Sequence, residues 1–502
     1  APYSGNASFL SGPSERTRLL WRTCQQLLKE EYKRGGVFEI DPDTPITINS
    51  HQPGYIDKDL EIIVGLQTDS PLKRAIQVYG GLRTSIQACE AYGYKFNPQM
   101  GDFFQQYLRT HNEGVFSAYT PQMRLARRVG IITGLPDAYG RGRIIGDYRR
   151  VPLYGVERLI KEKQEDLQRL STSLDIDTIA KREELFDQIQ ALKDMQQMAF
   201  DYGYDISQPA GTAQEAVQWL YFAYLAAVKE QNGAAMSLGR VSTFLDIYLE
   251  RDLERGLINE EQAQELIDQL VIKLRLVRHL RTPEYNQLFA GDPNWITEAI
   301  GGCDVNGRPL VSKTSFRLLQ TLYNLGPSPE PNLTILWSQH LPRPFLEFCA
   351  QVSIDTSALQ YMNDDLMRPF YGDDYGIACC VSAMAMGKQT QFFGARCNLA
   401  KLLLYAINGG IDEMTGEQVG VEMGVYPGDM LEYDEVMRRF RIQMQWLAEL
   451  YVNTMNTIHY MHDRYSYERV QMALHDSQVH YFMSFGIAGL SVVADSLSAI
   501  RY

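Results

Sequence analysis

The chain has no uninterrupted apolar run of the roughly 18 residues that a membrane-crossing helix needs. The nearest approach, from about Phe485 to Ile500, is broken by serine, glycine and Asp495 and reads as buried core. Positive charge is in short supply: 48 Lys and Arg against 61 Asp and Glu leave a net charge of −13. That balance supplies no electrostatic footprint for a nucleic-acid backbone or an anionic membrane, while remaining compatible with a local basic pocket for a small anion. Cysteine is sparse and irregular, with seven residues at 24, 89, 303, 349, 379, 380 and 397 and no CxxC pair. An odd, unpatterned set argues for free thiols in a reducing compartment and against a disulfide framework, a zinc ribbon or a cysteine-ligated cluster. There is no GxSxG elbow, and Gly387-Lys388 lacks both the upstream glycine and the following Ser or Thr of a phosphate loop, so neither a serine hydrolase nor a nucleotide kinase has an anchor. His459 and His462, with Asp463, share a helical face but have no third ligand at helical spacing; they read as a structural pair, and no metal is expected.

What is present is ordinary globular material: 502 residues, 45% hydrophobic and 22% charged. At about 150 residues per domain this length suggests roughly three domains, although α/β barrels exceed that size as single units. Asn259 to Leu280 carries an N-cap, a Gln three residues on, and one apolar stripe (Ala263, Leu266, Ile267, Leu270, Val271, Leu274, Val277), which predicts a core-facing helix. Val156 to Phe200 is charged and Leu-spaced and reads as a helical pair on the surface, broken near Ser173 to Asp177. Short apolar runs at Leu333 to Trp337 and Gly376 to Val381 predict strands. Short buried strands alternating with helices over several hundred residues predict an α/β barrel or wound sheet, with its site in loops at strand ends.

Three segments carry candidate chemistry. The vicinal Cys379 and Cys380 close an apolar run. Two inert core thiols are the plainer reading, but on an extended strand adjacent side chains face opposite ways, so one sulfur could meet a substrate and the other a redox or radical partner. Arg396 lies just before a predicted helix at Asn398 to Ile407, where a cation and free backbone N–H groups together suit a small carboxylate; an ion pair with a neighbouring acid is the alternative. Arg141 and Arg143 sit in the glycine-rich stretch Gly134 to Gly146, whose GxGxxxG spacing is not a dinucleotide fingerprint. Either the loop carries both arginines into a pocket or it is a solvated turn.

Together, Ile377-Ala378-Cys379-Cys380-Val381-Ser382, Phe392-Phe393-Gly394-Ala395-Arg396, the Gly134 to Gly146 loop and Gly326-Pro327-Ser328-Pro329-Glu330-Pro331 resemble the pyruvate formate-lyase family of glycyl-radical enzymes. Leu288 to Trp295, Asn232 to Ser237 and the closing Ala494 to Ile500 extend the resemblance over residues 1–502. It implies a ten-stranded α/β barrel surrounded by helices, and a formate C-acetyltransferase that converts pyruvate and coenzyme A to acetyl-coenzyme A and formate without a metal. By the same resemblance Cys380 exchanges a hydrogen atom with a glycyl radical, Cys379 carries the acetyl group, and Arg143 and Arg396 hold the pyruvate carboxylate. Phe289, Trp295, Phe393 and Ala234 would wall the substrate, and Phe116 would face the adenine of coenzyme A.

The implied partners are a radical S-adenosylmethionine activating enzyme and a second copy of the chain, with no nucleic acid and no membrane. The implied setting is the cytoplasm, or an organelle matrix in a eukaryote. The family's Arg-Val-Ser-Gly-Tyr radical segment is absent from these residues, and Ala1 is not an initiator methionine. The expectation is therefore a barrel truncated at the C-terminus, lacking its glycine-radical domain and inactive alone, as part of a longer protein. Close alternatives are a 2-ketobutyrate formate-lyase and a non-catalytic subunit.

Overall fold

A computed structural model describes residues 2–502 apart from 139, 142, 234 and 289–293; for 80, 288, 393 and 394 only the backbone is described. Phe289 and Ala234 thus lie outside the described residues, as does the Phe393 side chain. The chain divides into two compact units, one of residues 1–103, 143–391 and 468–481, the other of 104–142, 392–467 and 482–502.

Twelve strands occur among the described residues: β1 (Glu39–Ile46), β2 (Lys73–Gln77), β3 (Ile132–Thr133), β4 (Arg143–Ile144), β5 (Ala235–Met236), β6 (Thr297–Gly301), β7 (Asn332–Trp337), β8 (Leu359–Asn363), β9 (Tyr375–Ala378), β10 (Ser382–Ala385), β11 (Gln389–Asn398) and β12 (His480–Ala488). In the first unit β4 pairs parallel with β5, a parallel bridge joins Gly239 to Glu298, and β6, β7 and β8 continue in parallel. Helices Ser242–Glu254 and Glu260–Arg275 connect β5 to β6, Lys313–Asn324 connects β6 to β7, and Arg343–Thr356 connects β7 to β8. Parallel strands need such crossovers, and they bury both sheet faces, which is why β6 is buried throughout and β7 in its central four residues. The strands form five small sheets of two or three strands, with no closed sheet among the described residues, so the expected ten-strand count is not reached.

Local chemistry sets the helix ends. Asn259, Thr212 and Ser312 each make a reciprocal capping box, and the Asn259 helix buries the apolar stripe that its spacing predicted. Helix Ala213–Glu230 is buried along nearly its whole length, at the centre of the first unit's core. Helices Val156–Arg169 and Ile176–Asp201 occupy the charged segment, but the second buries Leu185, Ile189, Leu192, Met195, Met198 and Ala199. The Leu-spaced stripe is thus turned inward, while Ile176, Ile179, Phe186 and Phe200 stay exposed.

The second unit packs the long helix Tyr433–Tyr465 with helices His111–Ala118 and Leu399–Ile407 and a sheet ordered β12-β11-β3. The Phe485 to Ile500 segment departs from the buried core expected of it: Phe485, Ile487, Leu490 and Val492 are exposed and only Val493 is buried in the helix Leu490–Arg501. Hydropathy counts apolar side chains without registering which face a neighbour covers. Among the described residues no helix is long and apolar enough to cross a membrane.

Candidate active site

The two adjacent cysteines do not lie on an extended strand. β9 and β10 form an antiparallel hairpin in which Ala378 pairs with Ser382, leaving Cys379, Cys380 and Val381 as its connecting loop. Cys379 has φ +60°, a left-handed conformation that costs a non-glycine residue about 1–2 kcal/mol. This corrects the opposite-faces argument: the turn brings the thiols together, and their side chains are hydrogen-bonded to each other.

Four groups hold that turn. The Cys379 N–H donates to Ser237 Oγ at 3.1 Å, and Ser237 Oγ donates to the Trp295 carbonyl at 3.1 Å. The Thr297 hydroxyl donates to the Cys379 carbonyl, and the Gln360 amide donates to the Cys380 carbonyl. Asn332 Nδ2 donates to Gln360 Oε1 at 3.1 Å and so fixes which end of that amide faces Cys380. Ser237 follows β5, Thr297 opens β6, Asn332 opens β7 and Gln360 lies in β8, so successive parallel strands each supply one holding group. Trp295 is half-buried and also has positive φ, +41°. Strain at two residues of one site persists only where surrounding bonds over-determine it.

Electrostatics separate Cys379 from the other thiols. All seven cysteines are free; five are buried, and only Cys379 and Cys380 are partly exposed. Burial pushes Cys24 and Cys349 up to about 12 and Cys89 up to about 11, the behaviour of inert core thiols. Cys379 is raised first by its hydrogen bond with Cys380 and then by burial, while the charge of Arg143 acts in the opposite direction. The result is a neutral S–H group at physiological pH, next to a second sulfur and within the field of a guanidinium.

Arg143 is buried and opens β4, where it pairs with Ala235 of β5, and its guanidinium donates to Gln391 Oε1 at 3.1 Å. It is a strand residue, not a loop residue. Arg141 has a different fate from the shared pocket expected of the two: it lies in the second unit, bonded to Asp463 and to His459 (3.1 Å), with its guanidinium 3.9 Å from the centre of the Phe392 ring. His459 stacks on Phe392, and His462 stacks on His111 and bonds the Pro136 carbonyl at 2.8 Å, the aromatic surroundings expected of a structural pair. Among the described residues no cluster of His, Cys, Asp or Glu could hold a metal.

Arg396 also belongs to the second unit, on β11 opposite Thr133, two residues before Asn398, which caps the helix Leu399–Ile407. Its strand is pinned by Tyr451, whose hydroxyl donates to the Ala395 carbonyl and accepts the Gly486 N–H at 3.1 Å. Gly486 is needed there, since a Cβ would stand 2.6 Å from the Ala395 carbonyl oxygen. Phe116, in the same unit, has the guanidinium carbons of Arg124 and Arg127 at 5.8 and 5.1 Å from its ring centre.

Sequence reasoning missed Ser237, Thr297, Asn332 and Gln360. Ser237 and Thr297 fall in or beside motifs already singled out, but only the strand order reveals that their hydroxyls meet one turn.

Comparison with known proteins is consistent over the whole chain. A family model described as pyruvate formate lyase-like matches residues 1–502. A formate acetyltransferase of Haemophilus influenzae is 59% identical over 507 residues, taking in 100% of this chain and 66% of that protein. The chain thus spans just under two thirds of this curated relative's length. Among solved structures, the glycerol-bound B12-independent glycerol dehydratase of Clostridium butyricum superposes with a TM-score of 0.81 at 22% identity, covering 99% of this chain and 72% of that one. A glycyl radical enzyme of Archaeoglobus fulgidus superposes with a TM-score of 0.73 at 19% identity, covering 98% and 70%. At these identities the likeness concerns the fold alone.

Proposed function

The chain belongs to the pyruvate formate lyase-like family, and on that footing we propose that it is the substrate-handling part of a formate C-acetyltransferase. The reaction is pyruvate plus coenzyme A to acetyl-coenzyme A plus formate, and its reverse. The observation that carries this reading is the Cys379–Cys380 turn, two hydrogen-bonded sulfurs beside a buried guanidinium, with Cys379 held as a neutral thiol.

Hydrogen-atom transfer needs a neutral S–H in contact with the sulfur that receives its hydrogen atom, and Cys379 beside Cys380 fits that requirement. The family's glycyl radical supplies the one-electron start when the enzyme is active. Thereafter Cys380, having given up its hydrogen atom, takes the hydrogen atom of Cys379 across their hydrogen bond. The Cys379 sulfur adds to the pyruvate carbonyl carbon, the adjacent C–C bond breaks, and the carboxylate departs as a formate radical anion that becomes formate by taking the hydrogen atom of the Cys380 S–H, which leaves the radical on Cys380. Acetyl remains on Cys379 as a thioester, one hard step divided into two. Cys380 then passes the radical to the coenzyme A thiol, which collects the acetyl group.

Arg143 and Arg396 are assigned to the pyruvate carboxylate, for which a planar guanidinium offers two parallel N–H donors. Trp295, with Phe289, Phe393 and Ala234, would enclose the methyl end and keep water from the radical. Phe116, with Arg124 and Arg127 over its ring, offers an aromatic surface for the adenine of coenzyme A. The parallel run β4 to β8 is read as part of a ten-stranded barrel, the working enzyme as a homodimer in the cytoplasm, and its activator as a radical S-adenosylmethionine enzyme.

The test is anaerobic exchange of labelled formate into pyruvate by the full-length natural protein after activation. Exchange that vanishes in Cys379→Ser supports the reading. Exchange that survives that change, or a radical signal with no exchange in the unaltered protein, overturns it.

A further inference from the structure

The first unit contains a polar cavity of about 540 Å³ that the chemistry above does not use. Its walls come from helix Val156–Arg169, from Arg150, from Lys388 and from residues 473–480. The acids in it are all ion-paired, Asp476 with Arg150, Glu165 and Asp166 together with the single Arg169, and Glu162 with Arg158 outside the wall, so four acids stand among four Lys and Arg side chains. Three basic groups remain. Lys163 is 5% exposed, and its ammonium donates to the His475 carbonyl at 2.9 Å. That bond uses one of its three N–H groups, and among the described residues no carboxylate lies within ion-pair distance of it. Lys388 and His480 are exposed on the rim, joined through their backbones by a 3.0 Å bond, and neither has an anionic partner among the described residues.

In a chain with a net charge of −13, a wall whose Lys and Arg equal its acids in number runs against the average, and within it Lys163 is the buried cation with no acid of its own. Burying an ammonium without a counter-ion is costly, and Lys163 shows that cost, since burial pushes it down to about 8 against the pull of Asp166, with Arg150 and Lys181 adding repulsion and Asp476 attraction. An anion in the cavity would relieve it. The described residues of the wall include no Phe, Tyr or Trp, so recognition there rests on charge and hydrogen bonding. From this geometry we propose that the cavity is a binding site for a phosphate-bearing small molecule, with Lys163 at its floor and Lys388 and His480 at its rim.

Lys388 follows Cys380 by eight residues, just past β10, and Arg150 lies seven residues after Arg143. The phosphate can come from a free metabolite or from the phosphate arm of coenzyme A, and the experiment separates the two.

Titration calorimetry of the full-length protein at pH 8 uses inorganic pyrophosphate, coenzyme A and citrate as probes, in two buffers of different ionisation enthalpy. Pyrophosphate should bind with proton uptake, because the anion restores the charge of Lys163. Binding should weaken about tenfold or more in Lys163→Met and about threefold in Lys388→Ala, the usual scale for one charge-assisted bond and one rim charge. Lys388 is exposed, so its variant decides the matter even if Lys163→Met fails to fold. Coenzyme A binding with the same variant sensitivity assigns its phosphate arm as the source, and pyrophosphate binding alone assigns a separate effector. No binding of either at about 10 mM, well above the ~1 mM that weak sites show, overturns the proposal. So do affinities unchanged in Lys388→Ala, or citrate binding as tightly as pyrophosphate.

Discussion

The Thr297 side-chain hydroxyl donates to the Cys379 backbone carbonyl, 82 residues further along the chain, and both residues belong to the first compact unit. The bond joins the first residue of a parallel strand to the one residue of the hairpin loop that has positive φ. With Ser237 accepting the Cys379 N–H, both backbone polar groups of that residue are satisfied by side chains from neighbouring strands. A strained turn is thereby held open at the sulfur.

Replacing Thr297 by Val keeps the shape and removes the donor. The expected stability loss is about 1 kcal/mol, the net worth of one hydrogen bond, read as a small fall in melting temperature. Turnover should fall far more than that, by up to about a hundredfold, because small displacements of a reacting atom are costly. KM for pyruvate should change little, and Thr297→Ser should restore the rate. Equal losses in the Val and Ser variants would show that the hydroxyl does not position Cys379.

Arg143→Met should raise KM for pyruvate by roughly 10- to 100-fold, the range for losing a hydrogen bond to a charged group at about 1.5–3 kcal/mol. Arg143→Lys should recover only part, since an ammonium lacks the planar fork. Because Arg143 also opposes the upward pull on Cys379, the Met variant should make that thiol still harder to alkylate with iodoacetamide. An unchanged KM in Arg143→Met would remove this residue from carboxylate binding.

How much of this was legible beforehand differs by level. The Asn259 helix follows from its cap and stripe, and β7 from its apolar run, because local periodicity and capping chemistry are written in adjacent residues. The cysteine pair was legible as a motif, but its turn was not: Ile377 to Val381 has the composition of a strand, and only the pairing of Ala378 with Ser382 makes a hairpin of it. Arg141 and Arg143 looked alike in the sequence, yet one is bonded to Asp463 and the other carries charge to Cys379, a distinction made by long-range contacts. Ser237, Thr297 and Gln360 were not legible at all, since a hydroxyl or amide acquires a role only when the strand order puts it beside a strained carbonyl or N–H.

Cys380→Ser should behave differently from Cys379→Ser. Neither sulfur is needed for the fold, so both variants should melt within a few degrees of the parent. Cys379→Ser should form no acetyl-enzyme from acetyl-coenzyme A. Cys380→Ser keeps the acyl-carrying sulfur but loses the hydrogen-atom relay, so radical-dependent exchange should stop. Exchange at the parent's rate in Cys380→Ser would show that the relay runs through another residue.

Glu298 gives the protein a pH dependence whose sign can be worked out. It is fully buried on β6, and its Oε1 accepts the N–H groups of Val241 and Ser242 at 2.7 and 3.2 Å, at the start of helix Ser242–Glu254. Burial pushes its carboxyl up to about 8, against those two bonds and the charges of Arg149 and Arg240. In the unfolded chain the same group titrates at about 4.3. The folded state therefore binds the proton more tightly, so this stabilisation is complete below the unfolded value and is lost as the pH rises through about 8. Glu298→Gln mimics the protonated group at every pH. Its melting temperature should converge on the parent's as the pH falls below about 4.3 and exceed it at pH 8.5, with the difference opening between the two titration points. Glu230 and Asp268 are also raised, each to about 7, but they are common to both proteins and cancel in the comparison. Parallel melting curves for the two proteins across this range would mean that Glu298 is ionised in the fold.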